Sequence, residues 1–195
     1  MEKTKIYIYG ASGHGKVVAD VAKSTGYKEI IFLDDNGEFK FSPDLPKFPV
    51  IIAIGDNKIR ANLQKKVLNA GFEIATLIHE TAVVSQSAKI DKGTVIMPNV
   101  VVNSDAVIGD GVILNSACVI EHDCKIGKFA HISPNSALAG GAEVGEFTHI
   151  GIGSSVIQKI KIGANSIIGA GSVVIKDIDE NCLAVGVPAK VIKRI

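Results

Sequence analysis

Glu121-His122-Asp123 sets an imidazole between two carboxylates. An imidazole titrates near neutrality, so it can take up and return a proton at physiological pH. Either neighbour can orient the ring and hold its tautomer, as the acid of a catalytic triad does. Direct neighbours on a bent turn can also diverge, so spacing does not choose between Glu121 and Asp123. Read by itself, the run fits a solvated turn equally well. His131 and His149 follow, 18 residues apart. A second set of residues suits ligand binding: Gly10-Ala11-Ser12-Gly13-His14-Gly15, then Asp34-Asp35, then Gly55-Asp56-Asn57 with Arg60. The glycines allow close backbone approach and leave helix N–H groups for an anion. The aspartates can accept hydrogen bonds from hydroxyls or a base edge.

The elements that carry these residues divide the chain in two. Over 1–79 the pattern alternates between strand and helix. Strands are expected at Lys5–Tyr9, Glu29–Leu33, Phe48–Ile54 and Phe72–Ile78. One helix begins at His14, with Val17, Val18, Val21 and Ala22 at helical spacing. A second covers Asn57–Ala70, with Ile59, Leu63, Val67 and Leu68 as its apolar side. Such alternation predicts a parallel sheet with crossover helices. All three ligand motifs follow strands, so they converge at one sheet edge. The glycine pattern is G-x-x-G-x-G rather than the dinucleotide G-x-G-x-x-G, and the domain is nearer one mononucleotide half than two. Both points favour a UDP-sugar over NAD.

From 80 to 195 the period changes to six. Every sixth residue from Val84 to Val174 is Val, Ile or Leu. Two positions earlier the residue is usually small, as at Ala106, Cys118, Cys124, Ala130 and Ser136. One large and one small inward residue per hexad predicts a β-helix of about five coils, three hexads to a coil. His122 falls outside the inward positions and is expected to face away from the core. His131 and His149 should stack on successive coils. Cys118 and Cys124 are read as buried thiols.

The period, the repeated Ile-Gly steps and the tail Gly186-Val187-Pro188-Ala189-Lys190 resemble the hexapeptide-repeat acyltransferases. The resemblance implies a left-handed parallel β-helix and a homotrimer with active sites between subunits. The whole chain is similar to a narrower group: the sialic-acid O-acetyltransferases and the bacillosamine-type N-acetyltransferases. Its carriers are the Gly10–Gly15 run, Leu33-Asp34-Asp35, Ala53-Ile54-Gly55-Asp56-Asn57 with Arg60, and Val119–Cys124 followed by Phe129-Ala130-His131. That likeness implies a Rossmann-like N-terminal half-domain and acetyl transfer from acetyl-CoA to the 4-amino group of a UDP-linked 4-amino-4,6-dideoxy sugar. It places the base at His122, with Asn115 nearby, and His131 near the thioester. Gly10, Ser12, Gly13, His14, Gly15, Asp34, Asp35, Gly55, Asp56, Asn57 and Arg60 become the acceptor site. Gly140, Gly141, Gly151, Ile152, Gly153, Gly169, Ala170 and Gly171 offer backbone to the pantetheine arm. Pro188 and Lys190 lie toward the CoA phosphates.

Composition narrows the field. The 195 residues carry a net charge of +1, with 21 basic and 20 acidic side chains and no charge block. That argues against nucleic acid or a membrane surface as partner. No apolar run approaches the roughly 18–20 residues of a membrane span. The N-terminus runs directly into a strand without a signal-like segment, so a cytoplasmic protein is expected. The histidine spacing gives little support for a bound metal.

Overall fold

A computed structural model describes residues 4–195. The N-terminal part contains β1 (Lys5–Tyr9), α1 (Gly13–Ser24), β2 (Glu29–Leu33), β3 (Val50–Ile52) and α2 (Asn57–Asn69). The strands form one parallel sheet in the order β2-β1-β3. Helix α1 buries Val18, Val21 and Ala22. On the opposite side Tyr7, Tyr9, Leu33 and Ile52 pack with Val67 and Phe72.

The fourth strand expected at Phe72–Ile78 is divided between the two halves. Ile74 makes a single parallel bridge to Val50, whereas Leu77–Ile78 pairs with Val95–Ile96. Leu77–Ile78 stands one hexad before Val84 and already belongs to the repeat. The neighbouring coil offers it a rung in matching register, Leu77 opposite Val95 and Ile78 opposite Ile96.

From there, two-residue strands recur every six residues to Val173–Val174. They stack into three parallel faces, and each rung pairs with the one 18 residues on, as Val119–Ile120 does with Ala137–Leu138. The first face includes Ile113–Leu114, His131–Ile132 and His149–Ile150 and ends with Cys182–Val185 and the antiparallel Lys190–Arg194. The second carries Val119–Ile120 and Ala137–Leu138, and the third Lys125–Ile126 and Glu143–Val144. The result is a left-handed parallel β-helix. Leu77–Ile78 and Cys182–Val185 extend it beyond the Val84–Val174 repeat, to about six coils.

The hexad code sets the core. Ile108, Leu114, Ile120, Ile132 and Ile150 are fully buried, as are the small residues Ala106, Cys118, Cys124 and Ala130. Each large aliphatic contributes roughly 1.5–3 kcal/mol of burial. Buried hydroxyls need partners. Thr94, Ser136, Thr148 and Ser154 donate to the carbonyls of Gly109, Gly151, Gly163 and Gly169 at 3.1, 2.8, 2.7 and 3.0 Å. All three cysteines are buried free thiols. From 93 to 171 every corner includes a residue in the left-handed region, glycine at 93, 111, 141, 153 and 171 and side-chain-bearing residues such as Asn99, Asp123, Phe129 and Phe147 elsewhere.

One column of corners docks the N-terminal domain. Arg60 is 1% exposed. It donates from Nε to the Gly111 carbonyl at 2.7 Å and from Nη2 to the Phe129 carbonyl at 2.7 Å. Its Nη1 reaches the Ile54 and Gly55 carbonyls at 3.0 and 3.1 Å. Asn57 accepts from Arg60 at 2.8 Å and donates to the Phe147 carbonyl at 2.8 Å. Residues 111, 129 and 147 occupy the same corner on successive coils. Gln64, also buried, lies against Gly93 and Gly111. The buried face of α2 is therefore Arg60, Gln64 and Val67, not the Ile59–Leu63–Val67–Leu68 side its hydrophobicity suggested. Burial lowers the Arg60 pKa to about 10, with Asp56 opposing the shift, so the guanidinium stays charged at neutral pH.

Arg60→Ala removes those bonds and leaves several buried carbonyls without donors. A loss of roughly 3–5 kcal/mol is expected from charge-assisted bonds of this kind. Denaturant titration measures it; a loss below about 1 kcal/mol, the net worth of one ordinary hydrogen bond, contradicts the clamp.

Candidate active site

The carboxyl edge of the three-stranded sheet opens into a cavity of about 380 Å³ lined by Tyr9, Gly10, Ala11, Ser12, Asp34, Asp35, Asn36, Ile54, Ile59 and Leu63. Ile59 and Leu63 belong here, which explains why α2 leaves Ile59 52% exposed. They form an apolar wall of a polar-rimmed pocket. Asp35 accepts from the Tyr9 hydroxyl at 2.6 Å and pairs with Lys66 at 3.2 Å. Desolvation opposes ionisation of Asp35, but the Tyr9 and Lys66 bonds outweigh it and hold its carboxyl below the usual range. Asp34 caps its own turn, accepting from the Asn36 N–H at 2.9 Å.

The glycine run splits by role. A Cβ at Gly15 would strike the Gly10 carbonyl, and one at Gly10, whose φ is +123°, would lie 2.7 Å from the Ala53 carbonyl. Both are required by packing of β1, α1 and β3. Gly13 opens α1 with nothing near its missing Cβ, so the helix N-terminus stays accessible beside Ser12.

The third motif is divided between surface and interior: Arg60 is buried, Gly55 and Asn57 are half-buried, and Asp56 is exposed. Asp56 caps α2 by accepting from the Ile59 N–H at 2.8 Å. Gly55, Asn57 and Arg60 form the domain clamp. The expectation that Arg60 faces a ligand is corrected: it is 1% exposed and its donors go to carbonyls of both domains and to Asn57, whose own Nδ2 is tied to the Phe147 carbonyl. Gly55, Asp56 and Asn57 do line a second cleft of about 330 Å³, with His149 and Asn165.

Three histidines gather where the domains meet. His131 and His149 pair in register with ring centroids 4.8 Å apart, and His14 approaches His131 at 6.4 Å. Asn115 bonds His131: Nδ2 is 3.1 Å from His131 Nε2, while Oδ1 accepts from the Ser116 N–H. Asn115 thus donates to Nε2 and leaves the His131 proton on Nδ1. That Nδ1 faces the Gly55 side without a formed hydrogen bond. His149 Nε2 stands 2.9 Å from Ser133 Oγ. Burial, followed by His149, Arg60 and His14, pushes the His131 pKa down to about 3. Burial and Arg60 push His14 down to about 4. These rings are neutral at physiological pH.

His122 is the opposite case. It stands on the corner after the second face with its side chain 62% exposed. Its Nδ1 is 2.8 Å from Asp123 Oδ2. Asp123 occupies the left-handed corner position at φ +60° and supplies the bonded acid; Glu121 contributes only its nearby charge. The Asp123 bond raises the His122 pKa; desolvation opposes it, and the charges of Asp123 and Glu121 add to it. A carboxylate on Nδ1 leaves Nε2 as the free basic nitrogen.

The backbone expected to meet a pantetheine arm falls on two corners. Gly140 lies on the His122 corner. Ile152, Gly153, Ala170 and Gly171 stack on the corner after the first face, where the Gly171 N–H donates to the Ile152 carbonyl at 2.8 Å. Gly169 packs against Val185, and Gly151 against the backbone of the next coil at Gly169–Ala170. Pro188 precedes the exposed strand Lys190–Arg194. Among the described residues no group of three or more His, Cys, Asp or Glu side chains is arranged to hold a metal, and no helix is long and apolar enough to cross a membrane.

A hexapeptide β-helix with a nucleotide-sized pocket on an appended parallel-sheet domain defines a class of acyl-transferring proteins, and comparison with known proteins agrees. Residues 5–67 match the PglD N-terminal domain, and 87–122, 105–140 and 141–176 match the bacterial transferase hexapeptide repeat. The chain is 37% identical to PerB of Caulobacter crescentus, solved with CoA and GDP-perosamine, over 97% of each chain with a TM-score of 0.93. It is 38% identical to the acetyltransferase domain of PglB from Neisseria gonorrhoeae, over 96% of this chain and 99% of that one, with a TM-score of 0.91. It is also 37% identical over 106 residues to a Bacillus subtilis UDP-N-acetylbacillosamine N-acetyltransferase; that match covers 46% of this chain and 49%, about half, of the relative. The chain belongs to the hexapeptide-repeat sugar N-acetyltransferases.

The neutral histidines make the protein acid-sensitive. Above about pH 6.5 an unfolded histidine is also neutral, so nothing is lost. As the pH falls below that, the unfolded chain takes up protons that folded His14 and His131 resist down to about 4 and 3, and stability drops across that window. Calorimetry should show the melting temperature falling between pH 6.5 and 4, with a shallower slope in His131→Gln. Equal slopes would refute the assignment to His131.

Proposed function

We propose that the protein transfers the acetyl group of acetyl-CoA to the 4-amino group of a UDP-linked 4-amino-4,6-dideoxy-N-acetylhexosamine, with His122 as general base. The observation that carries this reading is the His122–Asp123 pair, exposed and 2.8 Å apart, with Nε2 free. The acceptor ammonium first loses one proton to solvent, and the neutral amine nitrogen attacks the thioester carbonyl. His122 Nε2 takes the second proton from the nitrogen of the tetrahedral adduct, the C–S bond breaks, and that proton passes from His122 to the departing CoA sulfur. Asp123 holds the tautomer and stabilises the imidazolium.

The 380 Å³ pocket receives the nucleotide. Its base lies against Ile54, Ile59 and Leu63, its hydroxyls toward Asp34 and Asp35, and its diphosphate at the start of α1 near Ser12 and Gly13. His14 borders the sugar. His122 does not line this pocket. A homotrimer that sets the His122 corner of one subunit against the nucleotide domain of the next completes the site. Acetyl-CoA then follows Ile152, Gly153, Ala170 and Gly171, with Pro188 and Lys190 toward its phosphates. A GDP-linked amino sugar is the second reading, favoured by the relative solved with GDP-perosamine.

Thiol titration of CoA release tests the proposal with UDP-linked 4-amino-4,6-dideoxy-N-acetylglucosamine, GDP-perosamine and free sialic acid as acceptors. Fast release with the UDP-amino sugar is expected, falling about 10²–10⁴-fold in His122→Ala, the usual contribution of general-base catalysis. Release only with GDP-perosamine moves the nucleotide assignment. Release only with sialic acid replaces N- by O-acetylation. Full activity in His122→Ala removes the base. In Asp123→Asn the acidic limb of the pH–rate profile should move down, because the bond that raises the His122 pKa is lost.

A further inference from the structure

His122 has Ser104 one coil before it and Gly140 one coil after it in the same corner column. Three contacts set the imidazole. The His122 carbonyl accepts from the Gly141 N–H at 2.8 Å. Nδ1 is tied to Asp123 at 2.8 Å. The remaining edge of the ring lies over Gly140: a Cβ there would stand 2.5 Å from Nε2, 2.6 Å from Cε1 and 3.2 Å from Cδ2. The three heavy atoms nearest that missing Cβ all belong to the His122 ring. Gly140 does not need to be glycine for its own backbone, because the left-handed corner residue is Gly141, at φ +69°.

We propose that Gly140 is a positioning residue whose bare Cα seats the His122 imidazole, so that a side chain at 140 swings the ring away from Asp123. The catalytic meaning of the seat rests on His122 being the base. The geometry gives Gly140 a different job from the open glycines on the neighbouring corner. At Gly153 and Gly171 an added Cβ meets nothing within 4 Å, as a surface offered to an incoming ligand requires. At Gly140 the added atom falls within the imidazole's own contact distance. A real Cβ cannot share that space, and the exposed ring is the part free to move. Displacing it by about 1 Å is enough to cost on the order of 100-fold in rate when a proton must pass along a defined direction.

Gly140→Ala tests this with two readouts that do not depend on catalysis. The first is the NMR titration of His122 in the protein without substrates. The charged groups facing the ring are Asp123 and Glu121, and Ser104, Gly140 and Gly141 carry no charge. The His122 pKa should fall in Gly140→Ala toward the ordinary value of about 6.5 as the Asp123 bond is lost. An unchanged titration overturns the seat. The second is a double-mutant cycle in thermal stability. Alanine at 140 should destabilise the protein when His122 is present and cost nothing in a His122→Ala background. An equal cost in both backgrounds overturns the proposal, and this comparison holds even if the single variant folds poorly. In steady-state assays kcat should fall about 100-fold while KM for acetyl-CoA stays within about twofold. A raised KM for acetyl-CoA with kcat intact assigns Gly140 to the pantetheine path instead. Should His122→Ala keep full activity, the base assignment fails, while titration and cycle still decide the seat.

Discussion

Arg60 carries a positive charge into the seam between two domains and meets carbonyl oxygens from both. The carbonyls at 111 and 129, with the one at 147 taken by Asn57, share one corner of the β-helix on successive coils. A repeat of 18 residues produces such a column automatically, and a forked guanidinium with several fixed donors can read it. Everything N-terminal is oriented by that reading. It turns the polar side of α2 inward, which leaves Ile59 and Leu63 to wall the pocket at the sheet edge. It also closes the domain over His131 and His149 and brings His14 beside them.

The repeat works as a ruler in a second way. Residues 18 apart lie over one another, so the chemistry of a position depends on what stands one coil above and below. His131 stacks on His149 because both occupy outward positions of the first face. His122 has Gly140 above it and so has room for its ring. The inward positions obey a stricter rule. Aliphatics fill the volume, and serine and threonine fit where alanine does elsewhere, because the hydroxyls of Thr94, Ser136, Thr148 and Ser154 each donate to a backbone carbonyl.

The histidines show how position sets protonation. His131 is 8% exposed, beside two other imidazoles and a guanidinium, and it stays neutral. His122 is solvated, with two acids adjacent, and its pKa moves up. One side-chain type thus serves a buried neutral seam and an exposed basic corner. Solvation and the sign of the nearest charge make the difference.

Much of this was legible in the sequence. Hydrophobic periodicity is a local property of the chain, so the period of six read off Val84–Val174 specified the β-helix, its inward residues, the stacking of His131 on His149 and the outward direction of His122. The alternating first half specified a parallel sheet with its motifs at one edge. Tertiary structure alone decided the rest. Phe72–Ile78 reads as one strand, yet its two ends pair with different sheets, because Leu77–Ile78 falls in register with the rungs of the repeat while Ile74 lies beside β3. Arg60 and Asn57 look like ligand contacts in a motif beside a glycine, yet they dock the domains. Asn115 hydrogen-bonds His131, 16 residues on, rather than a nearer neighbour on its own coil. Asp123 rather than Glu121 meets the imidazole because the corner places only Asp123 in the left-handed conformation that returns its carboxylate to the ring. Each of these outcomes depends on distances between residues far apart in the chain or on a backbone angle at a corner. A one-dimensional pattern carries the period that builds the columns, and only the folded coil brings the partners within a column into contact.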